Sequence, residues 1–345
     1  MTASMRRVAA AVLCACVFAA AGTAAAWDRG NVSSFAVLPA GATGPEGLTV
    51  GPDGNVYVTT FGFNAQGEQP GLGKLYVFDE HGKLLRQVNV AGSTSHLLGL
   101  AFHPTTGALL IIDFGAAKVL KVDPHSGNSS VFMTVTGSAG LNALTFDSMG
   151  NVYVSDSFQG IIWRTGASGG AATIWATDPL LVPNGIPPFG ANGLKFNRAG
   201  TALFVANTAN DSIVKIPVVG GGAAGTAAAL VYSINGADGI ALDQSDNIWV
   251  AANQSDEIVV IDPTGKVIAK LGDFDGIKDG TPRGLFFPAS PDFSRDGKDL
   301  IVTNLALDLR LAGGPQTLQS QWADQVTRYT VSRLKARIPD LRGGN

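Results

Sequence analysis

Residues 141–155 read Leu141-Asn142-Ala143-Leu144-Thr145-Phe146-Asp147-Ser148-Met149-Gly150-Asn151-Val152-Tyr153-Val154-Ser155. An apolar run, Leu144–Phe146, enters a turn of Asp, Ser, Gly and Asn. It leaves as the β-branched and aromatic run Asn151–Ser155, the pattern of two antiparallel strands. Ile161–Arg164 and Ala172–Ala176 add two more, so the unit holds four strands. Its opening recurs as Glu46-Gly47-Leu48, Leu98-Gly99-Leu100, Asn142-Ala143-Leu144, Asn192-Gly193-Leu194, Asp238-Gly239-Ile240 and Arg283-Gly284-Leu285. The steps between openings are 52, 44, 50, 46 and 45 residues. An all-β repeat of this length predicts a six-bladed β-propeller, one four-stranded blade per repeat.

Other units follow the same plan. The first has Gly47–Val50, Asn55–Thr59, Lys74–Phe78 and Leu84–Val90. The fifth has Ile240–Leu242, Asn247–Ala251, Glu257–Ile261 and Val267–Leu271. The sixth is one strand short, with Gly284–Phe287, Leu300–Thr303 and Val326–Val331 before basic coil from Lys335. Ser33–Leu38 supplies the missing outer strand. Pairing N-terminal with C-terminal strands closes the ring and removes a free sheet edge. No sustained helical period appears, and 27–345 is expected to be one propeller domain. A closed ring has no edge that invites pairing, so a monomer is expected.

The chain has 345 residues, of which 46% are hydrophobic and 15% charged, with a net charge of -3. That suffices for a large core and argues against disorder. The absence of a basic stripe argues against nucleic acid as partner and leaves a small molecule as the expected one. Arg6 and Arg7 precede an apolar run, Val8–Ala21, and Ala24-Ala25-Ala26 offers a small-residue cleavage site before Trp27. Residues 1–26 therefore read as a secretory signal peptide, with the mature protein exported to the periplasm or secreted, and not membrane-bound. Arg6-Arg7 as a twin-arginine signal and Leu13-Cys14-Ala15-Cys16 as a lipoprotein site fit less well. Cleavage after Ala26 removes both cysteines, so the mature fold has no disulfide and rests on its core or on a bound ion.

The openings repeat in structure but not in chemistry: Glu46, Leu98, Asn142, Asn192, Asp238 and Arg283 hold equivalent slots. Equivalent inner-strand positions face the propeller axis, so Glu46, Asn142, Asn192 and Asp238 are expected to converge. Two carboxylates and two carboxamides form an oxygen-only set suited to a hard divalent cation. Ca²⁺ fits best because its coordination is flexible; Mg²⁺, Mn²⁺ and Zn²⁺ stay open. Turn formation alone accounts for Asn192 and Asp238, but not for Glu46 or for Asn142, which precedes Ala143. Four long excursions, Phe61–Gly73, Asp178–Gly190, Asp273–Pro282 and Ala306–Trp322, fall on the face where the slots open. Pro288–Gly297 and Val219–Ala228 fall on the opposite one. Loop length gathered on one face suits a substrate site. Asp113, Asp156, Asn207, Asn253 and Asn304 recur at second-strand ends, where loop capping is expected.

Gly44-Pro45-Glu46-Gly47, Leu141–Asp147, Ala191-Asn192-Gly193-Leu194 and Ala237-Asp238-Gly239-Ile240 resemble the senescence marker protein-30/gluconolactonase group of propellers. Diisopropyl fluorophosphatase and the paraoxonases look like more distant relatives. The resemblance spans roughly Phe35 to Val331. It implies a catalytic divalent ion, commonly Ca²⁺, on Glu46, Asn142, Asn192 and Asp238, and hydrolysis of a lactone or related ester. It places Asp238 to orient or deprotonate water, or to attack directly, with Glu46 mainly a ligand. Leu98 departs from the polar sugar-binding pattern and favours a less polar substrate. Arg283 reads either as an anion or oxyanion partner or as an ion pair with Asp279 or Asp238. His96 reads either as a proton shuttle, the role of His in the paraoxonases, or as a solvated loop residue. The rivals are a non-enzymatic binding propeller and a strictosidine-synthase-like propeller lacking this ligand set.

Overall fold

Six sheets, antiparallel but for one short parallel edge pairing at Gly170–Ala171, form the blades of a β-propeller in the computed structural model, which describes residues 29–338. The signal-peptide reading, both cysteines and Trp27 lie outside the described residues. Blade one runs Pro45–Val50, Val56–Thr60, Lys74–Phe78 and Leu84–Asn89. Blade three runs Leu141–Phe146, Val152–Asp156, Ile161–Thr165 and Thr173–Thr177. The inner strands of blades two, four and five are Leu97–Phe102, Ala191–Phe196 and Ala237–Leu242. Neighbouring inner strands pack side by side around the whole ring.

Closure is as the sequence predicts. Val32–Val37 pairs antiparallel with Thr330–Lys335 and becomes the outer strand of blade six. The start of that blade corrects the sequence reading. Its inner strand is Pro288–Phe293, paired with Asp299–Asn304, and not Gly284–Phe287. Two prolines hide this strand from a propensity reading. Pro288 is its first residue and Pro291 follows a register break, the positions where a missing N–H is tolerated. Arg283-Gly284-Leu285 imitates the opening but ends the hairpin Phe274–Lys278/Thr281–Gly284. The segment Pro288–Gly297 is thus mostly strand. The late strand also starts at Thr330 and not at Val326, because the six-residue helix Leu318–Ala323 occupies the connection. Among the described residues no helix is long and apolar enough to cross a membrane.

Polar bolts hold the turns between first and second strands in blades one, three and five. Asp53, Asp147 and Asp243 each accept from the backbone and side chain of an Asn, at Asn55, Asn151 and Asn247. Each also accepts from an aromatic two residues further on: the hydroxyls of Tyr57 and Tyr153, and Nε1 of Trp249. These bonds hold Asp53 and Asp147 below the ordinary carboxylate value although burial alone pushes them up, and Tyr57 and Tyr153 rise to about 12. Tyr57, Tyr153 and Trp249 are themselves buried, so each bolt joins a surface turn to the core.

Candidate metal centre and active site

Every inner strand carries the same defect. Its register against the second strand breaks at Pro45/Leu48, Leu97/Leu100, Leu141/Leu144, Ala191/Leu194, Ala237/Ile240 and Pro288/Pro291. Such a bulge re-aims a side chain. The slot residue is the first inside each bulge: Glu46, Leu98, Asn142, Asn192, Asp238 and Ala289. The sixth slot is therefore Ala289, fully buried. Arg283 is exposed on the hairpin outside the ring. Behind the slots the strands approach closely. A Cβ on Gly193 would meet Asp238 O at 2.5 Å, and one on Gly99 would meet Asn142 O at 2.7 Å. Glycine recurs there because only backbone fits.

Glu46, Asn142, Asn192 and Asp238 line one pocket and are each at most 5% exposed. Thr208 and Asn253 join them, and both were missed as site residues from sequence. Asn253 is not the equivalent of the other capping residues. Asp113, Asp156, Asn207 and Asn304 pair with the first residue of their inner strands, and in blade five that partner is Ala252. Asn253 lies one step further, as do Phe61, Thr208 and Leu305, and that step forms a second tier around the pocket. The available signal was the single-residue offset of Asn253.

The tiers are wired together. Asn253 Nδ2 donates to Asp238 Oδ2 at 3.0 Å, and Asn192 Nδ2 donates to Thr208 Oγ1 at 2.9 Å. Thr208 Oγ1 donates on to Ala237 O at 2.7 Å, and Thr303 Oγ1 donates to Glu46 O at 2.8 Å. Glu46 Oε2 and Asp238 Oδ1 are left buried with no hydrogen-bond partner. Buried carboxylate oxygens without partners are costly. Burial, and after it the charge of Asp238, push the Glu46 carboxyl well above its ordinary value. Burial pushes Asp238 up to about 7, against hydrogen bonds from Asn253, Asn192 and the Gly239 backbone. A divalent cation fits this donor set: bound between them, it would supply the missing partner and offset both charges. Among the described residues no three His, Cys, Asp or Glu side chains gather, so Asn142 and Asn192 are needed to complete such a set.

The upper wall is apolar. Leu98 comes from an inner strand, Phe61 and Leu305 from the residues just past second strands, and Pro187, Phe189, Phe287 and Leu307 from longer loops. Phe287 holds φ 45°, a left-handed conformation unfavourable for an aromatic, and its N–H donates to Asp256 Oδ1 at 2.7 Å. His96 is not among the pocket-lining residues. It sits behind Phe61, with Nδ1 2.6 Å from Phe61 O and Nε2 2.9 Å from Glu68 Oε1, and its ring stacks on Phe63. Open clefts of about 490 and 540 Å³ lie on the opposite face, against blade six. Their charged linings come from turns and from the blade-six strands, where Asp299 is ion-paired with Lys335 at 2.8 Å. Among the described residues, the buried carboxylate oxygens with neither a hydrogen-bond nor a cationic partner are those of Glu46 and Asp238 at the ring.

Residues 186–272 match the SMP-30/Gluconolactonase/LRE-like region, which contains two of the four slots, Asn192 and Asp238. Over blades four and five the chain is similar to this family. Residues 33–61 also match the N-terminal region of strictosidine-synthase-like proteins. No curated protein matches the sequence. Similar solved structures include a gluconolactonase from Xanthomonas campestris, with 13% identity and TM-score 0.61 over 90% of each chain. The calcium-binding protein regucalcin from Agrobacterium tumefaciens gives 16% identity and TM-score 0.59, covering 89% of this chain and 98% of its own. Virginiamycin B lyase from Staphylococcus aureus gives 13% and 0.53, covering 88% and 99%. At these identities the likeness is one of fold.

Proposed function

We propose that this SMP-30/gluconolactonase-like propeller is a metal-dependent hydrolase of a lactone or related ester, with a divalent ion, Ca²⁺ by preference, in its central channel. The observation that carries the reading is the pair of buried, unpartnered carboxylate oxygens, Glu46 Oε2 and Asp238 Oδ1, on a floor completed by Asn142 and Asn192. A scaffold with no ligand has no use for two facing buried acids. The solved gluconolactonase and the calcium-binding regucalcin share the fold and support this choice.

A divalent ion bound there supplies polarisation of a carbonyl oxygen and acidification of water. The chain's own groups do the rest. Asn253 and Asn192 fix the Asp238 carboxylate, and its unpartnered Oδ1 is the atom left to accept a proton from water or to attack. Glu46 acts as a ligand. The apolar wall excludes water from the reacting bond and selects a substrate less polar than a sugar lactone. His96 and Arg283 have no part in this arrangement, since neither lines the pocket. The signal-like residues 1–26 support action outside the cytoplasm.

The test is Ca²⁺ calorimetry on chelator-stripped protein, beside Glu46→Gln and Asp238→Asn. One strong site, lost in both variants, together with chelator-sensitive opening of lactones, is the expected result. A folded wild type that binds no divalent ion sinks the mechanism and leaves a binding propeller.

A further inference from the structure

We propose that the phenyl rings of Phe61, Phe114, Phe158 and Phe189 form a shelf that binds the apolar arm of the substrate, an aromatic or alkyl substituent on the reacting ring. The proposal rests on the hydrolase reading for the reacting group, but not for the arm.

The rings form one continuous path. Phe61 and Phe189 line the pocket over the polar floor. Phe114 meets Phe61 edge-on with centroids 5.6 Å apart, Phe158 edge-on at 5.4 Å, and Phe189 at 6.2 Å. Phe158 and Phe189 stack at 5.8 Å with planes 26° apart. The path ends in solvent at Phe158, which is 46% exposed. Edge-to-face and offset pairs of this kind are mutually stabilising, so the shelf is held in place before any ligand arrives. The Phe158 ring also lies over Gly140, where a Cβ would approach Cδ2 to 2.7 Å, so a glycine provides its seat.

Size makes the shelf necessary. The chamber at the ring has a volume of about 30 Å³, enough for an ion's ligand or a reacting group and little more. Below it, the space beside Gly99, Gly193 and Gly239 is about 40 Å³ and takes no more than a small group. Whatever else a substrate carries lies above the floor. There the slot of blade two offers Leu98, and the wall beside it continues into the four phenyl rings. An exposed aromatic surface continuous with a buried polar floor is the arrangement that takes an amphiphilic small molecule, polar end first.

The test uses γ-lactams with no arm, a butyl arm or a phenylbutyl arm, which resist opening. They are titrated by calorimetry into full-length, Ca²⁺-loaded wild type, Phe158→Ala and Phe189→Ala. Phe158 is half exposed, so its truncation spares the core. Affinity is expected to rise at least tenfold from the bare to the phenylbutyl lactam in the wild type. Each variant should lose most of that gain, and Phe158→Ala, at a residue outside the pocket lining, should leave the bare lactam unchanged. Equal affinity across the series, or a gain intact in both variants, overturns the shelf. So does a dimer that dissociates on Phe158→Ala, since a second copy would then cover the rings. Hydrolysis of the matching lactones is read separately. Armed lactams that bind while no lactone opens would remove the hydrolase and keep the shelf. Lactones opened with one KM whatever the arm would remove the shelf and keep the hydrolase.

Discussion

Asp238→Asn is expected to make the metal-free protein more stable, and Ca²⁺ is expected to reverse that order. Burial raises the folded-state Asp238 carboxyl from 3.8 to about 7, so the folded chain binds this proton more tightly than the unfolded chain. Stability is then greatest below the unfolded value and falls as pH rises through the folded one. At about 1.4 kcal/mol for each tenfold change in proton affinity, the loss approaches about 4 kcal/mol above pH 7. Asn removes the charge and keeps an oxygen to accept from Asn253 Nδ2. In chelator at pH 8 the variant should therefore exceed the wild type by about 2–4 kcal/mol, and at pH 4 the two should converge. At a thousandfold excess of Ca²⁺ over Kd the wild type gains about 4 kcal/mol and the variant gains almost nothing. Urea unfolding followed by Trp fluorescence, at both pH values with EDTA or Ca²⁺, reads all the conditions. A variant less stable than the wild type in EDTA at pH 8, or one equally stabilised by Ca²⁺, would refute the reasoning.

Gly193→Ala drives a Cβ to 2.5 Å from Asp238 O, and should cost about 3 kcal/mol in urea unfolding and abolish Ca²⁺ binding together. Burial raises Asp256 to about 6 while it accepts from Phe287 N, so some stability present below about pH 4 is lost as pH rises past 6. Asp256→Asn, tolerated at φ 53°, should flatten that part of the profile by about 1 kcal/mol while keeping the Phe287 bond. Deleting residues 27–38 removes the strand Val32–Val37 and leaves Thr330–Lys335 as a free edge, so the monomer peak in size-exclusion chromatography should give way to aggregates. His96→Ala should change kcat/KM for lactone opening less than threefold, since its ring stands behind Phe61; a loss of about a hundredfold would restore it as a proton carrier.

Blade number, ring closure and the convergence of Glu46, Asn142, Asn192 and Asp238 were legible because each follows from a local rule repeated at blade spacing. The sixth slot was not. Arg283-Gly284-Leu285 satisfies the local pattern, while Pro288 and Pro291 violate it, and only strand pairing reveals that both prolines occupy permitted positions. Asn253 was misread for the same reason. A one-residue offset decides whether a side chain caps a loop or faces the channel, and register is a property of two strands together. His96 read as a candidate proton shuttle, but its ring packs against Phe61, from another blade, and Phe61 rather than His96 lines the pocket.

By itself the sequence determined an all-β ring of six blades and the oxygen-bearing residues at its centre, because periodicity and side-chain chemistry are written in the order of residues. The tertiary structure alone decided which atoms are buried without partners, that an apolar wall stands over the polar floor, and that four rings from four loops make one surface. Those are facts of contact between segments far apart in the chain, and they exist only once the blades have closed.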